Sequence, residues 1–390
     1  MRASPSAARH NVTLSPSKRG QSPEHRRAQL QPPDALLLGS VAFLVALGLV
    51  MVFSSSSAIA YSYHHDTAYY LKRQVVYLIV GLALAYAAYR VDYRKLRTIA
   101  PALVIVTFLL LVLTLVPHVG YATGGARRWI GLRALSFQPS ELGKLALVIF
   151  LAAKLSQLGE NVRSLSKGVG PALFITLLLA APVFVEPDMG TASLYIFTAF
   201  ALIFTAGARF EHLIMCALVM LPAAVIAIGS SAYKRARIFA FLNPWKDPQN
   251  AGYHTVQSLL ALGSGGLFGL GLGASRQKYF YLPEAYTDYV FAVLGEELGL
   301  LGCITVIALF VLFAIRAVTL ALKAPDRFGM LLAMGCTFTI VIQALINIGV
   351  VTSSWPVTGV PLPFISFGGT SLIVSLIAVA LIANVGRHRV

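Results

Sequence analysis

Cysteine is scarce, with three in 390 residues. Cys216, Cys303 and Cys336 lie far apart in apolar runs, which excludes a disulfide framework or a thiolate metal site and leaves them as small core residues. Charge is scarce too: 12% of residues carry one, and 15 acids face 31 Lys and Arg. With 57% hydrophobic residues and a mean hydropathy of +0.75, such a chain is excluded from the water-soluble class. The phosphate-loop pattern of Gly, four residues, Gly-Lys-Ser/Thr is missing, and so is a Gly-x-Ser-x-Gly elbow, which removes support for nucleotide binding and serine hydrolysis. The eight histidines show no ligand spacing, and His64-His65-Asp66 is an isolated loop triplet. Strands of about ten residues with alternating polarity, which a membrane β-barrel needs, are absent as well.

What the chain does have is long apolar runs. They cover Ala35 to Ser56 and then lie near 75–89, 99–117, 142–158, 168–185, 191–207, 212–230, 290–315, 330–351 and 369–386. A hydrocarbon core about 30 Å thick takes about 20 helical residues per crossing, so the runs predict an all-α integral membrane protein with ten transmembrane helices. Short separations near 187–191 and 208–211 leave room for a merged or re-entrant segment. Ala58-Ile59-Ala60 imitates a processing site, but the run before it is longer than a secretory apolar region, and a retained first helix is expected. Residues 1–33, rich in Ser, Pro, Gln and Arg, read as a disordered basic tail ahead of a membrane domain over 34–390.

The net charge of +16 fits membrane sidedness better than a nucleic-acid partner. With both termini cytoplasmic, 19 Lys and Arg fall on the inner side and 12 on the outer. Ten of those twelve sit in two outer segments, 118–144 and the long extracytoplasmic loop 231–289 between the seventh and eighth helices. Local acids offset part of that charge; the remainder suits an anionic lipid phosphate at the membrane surface.

The candidate residues cluster there. Gly124-Gly125-Ala126-Arg127-Arg128-Trp129 places two guanidiniums suited to forked phosphate contacts beside an aromatic suited to the headgroup zone. Pro139 fits a first helical turn that Ser140 or Glu141 could cap. Lys144, three residues after Glu141 on the same face, would point into a low-dielectric region where an unpaired charge is costly. In the long loop, Val256 to Leu262 leads into the glycine-rich Gly263–Gly273, expected as a re-entrant or surface-lying segment. Arg276 and Lys278 follow. Thr287 or Asp288 could cap the next helix, or Asp288 could work at its mouth. Glu296 and Glu297, about 12 Å further in, are assigned to buried packing and hydrogen bonding. Pro356 to Ser371, with three prolines and paired glycines, is expected as a rigid hairpin.

These stretches, read in order, resemble the SEDS (shape, elongation, division and sporulation) family. The resemblance is carried by Arg128-Trp129-Ile130, Gln138-Pro139-Ser140-Glu141, Glu186-Pro187-Asp188-Met189-Gly190, Asn243-Pro244, Gly252-Tyr253, Gln257-Ser258, Leu282-Pro283-Glu284, Thr287-Asp288, Gly295-Glu296-Glu297 and Pro361-Leu362-Pro363-Phe364, from about residue 35 onward. Phe280 to Ala285 and Gly269 to Gly273 look closer to the cell-division (FtsW-like) than to the elongation (RodA-like) members. The resemblance implies a peptidoglycan glycosyltransferase that polymerises lipid II at the outer face of the bacterial plasma membrane, at the septum, and releases undecaprenyl diphosphate. It implies Asp288 as catalytic aspartate and Glu141 and Lys144 as acid and base. Arg127, Arg128, Lys144, Arg276 and Lys278 are the candidates for compensating leaving-group charge, with a divalent cation (Mg2+ or Mn2+) as the alternative source. Expected partners are the growing glycan strand, a class B penicillin-binding protein and other division proteins. The rival expectation is a flippase for a lipid-linked precursor. Tyr286 stands where the family commonly has His, and Ser353-Ser354-Trp355 where it commonly has Gly-Leu-Leu.

Overall fold

The computed structural model describes residues 31–116, 120–123, 126–132, 135–229 and 232–389. The expected tail therefore lies outside the described residues up to position 30, as do Gly124, Gly125 and the Arg127 side chain. Helices dominate. They are α1 Ala35–His64, α2 Tyr69–Arg90, α3 Leu96–Leu115, α4 Pro139–Leu158, α5 Gly170–Val185, α6 Met189–Thr205, α7 Phe210–Gly229, α8 Ala232–Leu242, α9 Tyr253–Gly265, α10 Val290–Leu322, α11 Arg327–Val351 and α12 Gly369–Arg387. Every one of the ten apolar runs coincides with a helix. Among the described residues eight helices are long and apolar enough to cross a membrane. α6, at 17 residues, and the apolar stretch Phe210–Pro222 of α7 are shorter. The turns at 186–188 and 206–209 keep α5, α6 and α7 separate.

The purely helical expectation is corrected in the segment before α4. Tyr121–Thr123, Ala126–Leu132 and Leu135–Phe137 form a three-stranded antiparallel sheet, β1-β2-β3, with Ile130 opposite Phe137 and Tyr121 opposite Trp129. Strands of three residues leave too short a polarity pattern to be read from sequence. The long loop likewise contains α8 and α9, the latter spanning the apolar Val256 to Leu262 and the first glycines that follow it.

Helix starts follow local chemistry. Asp34 accepts from the Leu37 amide at 2.9 Å, Asp188 from Thr191 at 3.0 Å and Asp326 from Gly329 at 2.8 Å, each supplying a partner to a free amide of a first turn. Pro139 does occupy the first turn of α4, but the cap is Gln138 with no side-chain bond, and Ser140 and Glu141 lie buried inside that turn. The capping role expected for those two residues is thus corrected.

α12 is the most enclosed of the eight spans, with 89% of its apolar window buried, against α2, α4, α10 and α11. α1 packs on α10 and α2 and buries Leu37, Val41, Leu44 and Met51, and Gly48 admits the main chain of Phe364 where a Cβ would clash. Apolar side chains elsewhere on α2, α3, α7 and α10 face outward, as a lipid-facing surface requires. The Gln31 amide donates to the Arg387 carbonyl at 2.9 Å, so the described start of the chain and the end of α12 meet at one end of the bundle.

α10 is broken near its start. Gly299 has φ 67° and ψ −166°, and the gap is filled by the glycine-rich loop: Leu270 and Gly271 amides donate to the carbonyls of Glu296 and Glu297, while Leu300 and Leu301 amides donate to Gly266 and Leu267. Backbone groups freed by the break are thereby satisfied within the protein, which is the condition for irregular chain at membrane depth.

Candidate functional site

Asp288 sits two residues before α10, at the edge of the apolar bundle. The cap of α10 is Tyr289, without a side-chain bond, so the Asp288 carboxyl is not spent on capping. Its main-chain oxygen accepts from Asn347 Nδ2 at 2.7 Å, and the same amide group donates to the Val360 oxygen at 2.8 Å. One side chain on α11 thus ties the start of α10 to the proline-rich segment. Gly359 faces the carboxyl directly: with φ +74° it adopts a backbone shape that favours glycine, and a Cβ there would lie 3.3 Å from Asp288 Oδ2.

The expected rigid hairpin is stapled from several helices. Gln343, one turn before Asn347 on α11, donates to the Pro361 oxygen at 2.9 Å; Gln74 on α2 donates to the Ser366 oxygen at 3.1 Å; and Arg237 on α8 donates to the Val357 oxygen at 3.2 Å. Tyr286 belongs to this packing. Its ring stacks at a tilt on Tyr70, 4.5 Å between centroids, and its carbonyl accepts from the Phe367 amide. Burial pushes its phenol far above the ordinary tyrosine range, so Tyr286 supplies shape rather than a mobile proton.

Glu141 and Lys144 form a buried pair, 2.6 Å apart and each 3% exposed. The ammonium also donates to Gln343 Oε1 at 2.6 Å. The pair therefore connects through Gln343 to Pro361, and through the next turn of α11 to Asp288. The anticipated cost of an unpaired lysine is avoided in this way.

Arg128 lies on β2 and reaches across to the α5–α6 turn, where Nε donates to the Glu186 oxygen at 3.1 Å and Nη2 to the Pro187 oxygen at 2.7 Å. Asp188, beyond capping α6, accepts from Gln138 Nε2 at 3.4 Å. Charges from separate elements thus surround Asp288. Burial, reinforced by the negative charges of Glu284 and Asp188 and opposed by Arg128 and Arg237, pushes its carboxyl up to about 7. Glu186 also rises to about 7, because burial outweighs the hydrogen bond from the Thr114 hydroxyl. His254 on α9 stacks on Tyr289 with ring centroids 5.8 Å apart, and burial, joined by the positive charge of Arg237, holds its imidazole below the ordinary range.

Arg276 and Lys278 part company. Arg276 is exposed. Lys278 is 3% exposed and encloses its ammonium between Glu297 at 3.2 Å, the Gly273 oxygen at 2.6 Å and Ser54 at 3.3 Å. Glu296 accepts from the Ser275 hydroxyl at 2.5 Å and the Arg276 amide at 3.0 Å. The acids assigned to packing do pack, and they hold the break at Gly299 together with Lys278 as their counter-ion.

Gln343 and Asn347 are single polar residues inside an apolar helix, absent from the candidates named above. Their only signal was that amide groups at membrane depth demand partners. No group of three His, Cys, Asp or Glu among the described residues is arranged to hold a metal ion.

The FTSW_RODA_SPOVE family, described as cell cycle protein, matches residues 34–390. Stage V sporulation protein E of Bacillus subtilis (strain 168) is 44% identical over 356 residues, covering 91% of this chain and 97% of that protein. The probable peptidoglycan glycosyltransferase FtsW of Geobacter metallireducens is 42% identical over 360 residues, covering 92% and 96%. Among solved structures, a peptidoglycan synthase complex described as coordinating polymerization and crosslinking aligns with TM-score 0.75 and 32% identity over 91% of this chain and 98% of that one. The rod shape determining protein RodA of Thermus thermophilus aligns with TM-score 0.68 and 32% identity over 92% and 97%. With multiple apolar spans, a match over nearly all the described chain and relatives above 40% identity, this multi-pass membrane protein belongs to the FtsW/RodA/SpoVE family, the SEDS proteins.

Proposed function

We propose that this chain polymerises lipid II into glycan strands, with Asp288 as general base. The observation that carries this reading is the Asp288 carboxyl: raised to about 7, fixed through its main chain by Asn347 and placed at the edge of an apolar span. A base is most effective when its pKa lies near the working pH. Polyprenol-linked sugars present their reacting carbons just above the membrane, at this level. Asp288 takes the proton of the acceptor sugar hydroxyl as that oxygen forms a bond to the donor anomeric carbon. The bond from that carbon to the diphosphate breaks, and undecaprenyl diphosphate leaves with the electron pair. One in-line displacement converts an α-linked donor into a β-linked product. Arg128, Arg127 and Arg276 are assigned to the developing diphosphate charge. Glu141 and Lys144 support the site from below, and Lys278 is assigned to the Gly299 break.

The reading includes ten membrane crossings, with α6 and α7 as the two short ones, and both termini on the cytoplasmic side. The contact of Gln31 with Arg387 supports placing the two chain ends together. It also includes a class B penicillin-binding protein as crosslinking partner and a septal location, supported by the likeness to FtsW proteins and to a complex of polymerization and crosslinking.

The flippase reading gains one feature, the break in α10 at Gly299. Transport through it would need charges open to an aqueous path. Glu297 is 0% exposed and paired with Lys278, which favours a structural break. The deciding experiment is purified protein with labelled lipid II in detergent. Long glycan from the native chain and none from folded Asp288→Ala supports polymerisation; equal product from both removes Asp288 from the chemistry.

A further inference from the structure

The helix ends away from Asp288 carry a second polar concavity. The start of α3, the end of α4 and the start of α11 enclose a cavity of about 420 Å³ lined by Arg94, Arg97, Ser156, Asp326, Arg327 and Phe328. It lies a full span from Asp288, because α10 runs the length of the bundle between Asp288 and Asp326. Three guanidiniums there meet one carboxylate. That carboxylate is already engaged by the Tyr93 hydroxyl, the Gly329 amide at 2.8 Å and Arg94 Nε at 3.3 Å. Burial opposes these bonds but is outweighed, and Asp326 stays below the ordinary carboxylate range.

The arginines keep donors in reserve. Arg327 donates Nη2 to the Ala206 oxygen at 2.6 Å, and Arg97 is exposed, with no hydrogen-bond or ion partner among the described residues. Each guanidinium offers five N–H groups, so those of Arg94 and Arg327 are only partly used. An excess of Arg on one side is ordinary for a membrane protein. Convergence of residues 94, 97 and 327 on one concavity, with Ser156 and Phe328 in its wall, is more than a solvated scatter of charge. Ile105, Leu109 and Val112 of α3, on the flank of the helix nearer Arg97, face outward and continue the apolar surface into the membrane.

We propose that this cavity binds the phosphodiester headgroup of an anionic phospholipid in the leaflet opposite the Asp288 site. Arg97 and Arg327 fork onto its phosphate oxygens, and the acyl chains lie along the outward face of α3. The occupied cavity would tie α3, α4 and α11 together at the end remote from the chemistry.

The test uses full-length protein in detergent, with phosphatidylglycerol or phosphatidylcholine added and lipid retention read by native mass spectrometry. The native chain should retain phosphatidylglycerol over phosphatidylcholine. Arg97→Gln should weaken that retention about fivefold and Arg97→Gln with Arg327→Gln about 25-fold, whereas Arg97→Lys, which keeps the charge but loses the fork, should weaken it less than Arg97→Gln. Because Arg97 has no protein partner among the described residues, its loss leaves the fold intact, and a size-exclusion profile checks this. Equal retention by the native and doubly substituted chains, or no preference between the two lipids, overturns the proposal. A third arm adds inorganic phosphate alone: stabilisation equal to that of phosphatidylglycerol, lost in Arg97→Gln, would make the occupant a soluble anion and overturn the lipid assignment.

Discussion

Asn347 donates a 2.7 Å hydrogen bond to the main-chain oxygen of Asp288, from a residue 59 positions later in the chain. The bond fixes where the carboxyl starts from without touching the carboxyl itself. Asn347 is therefore a positioning residue, and its second bond, to Val360, sets the distance between Asp288 and Gly359.

Asn347→Ala should lower kcat on lipid II by about 10- to 100-fold with little change in KM, because misplacing a reacting group by about 1 Å costs that much while substrate contacts stay intact. Steady-state kinetics of the purified variant checks this. An equal rise in KM at constant kcat would place Asn347 in substrate binding instead.

Asp288, raised to about 7, should give a polymerisation rate that falls about tenfold per pH unit below neutrality and levels off above it. Its stability effect has the opposite sense. The folded chain holds a proton that the unfolded chain, with the carboxyl near its ordinary 3.8, has already released. Stability contributed by the protonated group therefore falls as pH rises from about 4 through 7. Asp288→Asn should unfold at a higher temperature than the native protein at about pH 8, a gain in stability of up to about 4 kcal/mol, while losing activity. A rate profile flat across neutral pH, or an Asn variant less stable than native, contradicts this.

Breaking the Glu141–Lys144 pair from one side leaves a buried charge. Glu141→Gln and Lys144→Met should each cost about 3–5 kcal/mol, and the double variant should cost less than the sum of the two. Thermal unfolding of the four proteins in detergent completes the cycle. Strict additivity would show that the pair is not coupled.

Lys278→Met should destabilise the protein by about 3–5 kcal/mol, because Glu297 at 0% exposure loses its counter-ion. Arg276→Ala, at an exposed position, should change stability by no more than about 0.5 kcal/mol and raise KM for lipid II. Lys278→Met that unfolds normally but binds substrate poorly would return that residue to the diphosphate site.

Much of the architecture was open to reading from the chain. Each apolar run became a helix, because about 20 apolar residues in hydrocarbon must satisfy their own backbone. Glu296 and Glu297 were recognisable as buried, since depth along an apolar helix follows from position alone. The β1-β2-β3 sheet was not legible, its outer strands being three residues long. Nor was the break at Gly299, where glycine permits a conformation that only the approach of Gly266–Gly271 requires.

The candidate site divides along the same line. Asp288 and the Glu141–Lys144 spacing stand out because charge beside an apolar run is a local property. The status of Lys278 and the contributions of Gln343 and Asn347 do not, because they depend on partners from other helices, such as Lys144 with Gln343, 199 positions apart. Hydropathy, summed over neighbours along the chain, determined the membrane class and where the charges meet the bilayer edge. Only helix packing decided which of those charges neutralise one another and which remain free for chemistry, since an electrostatic pair is selected by proximity in space.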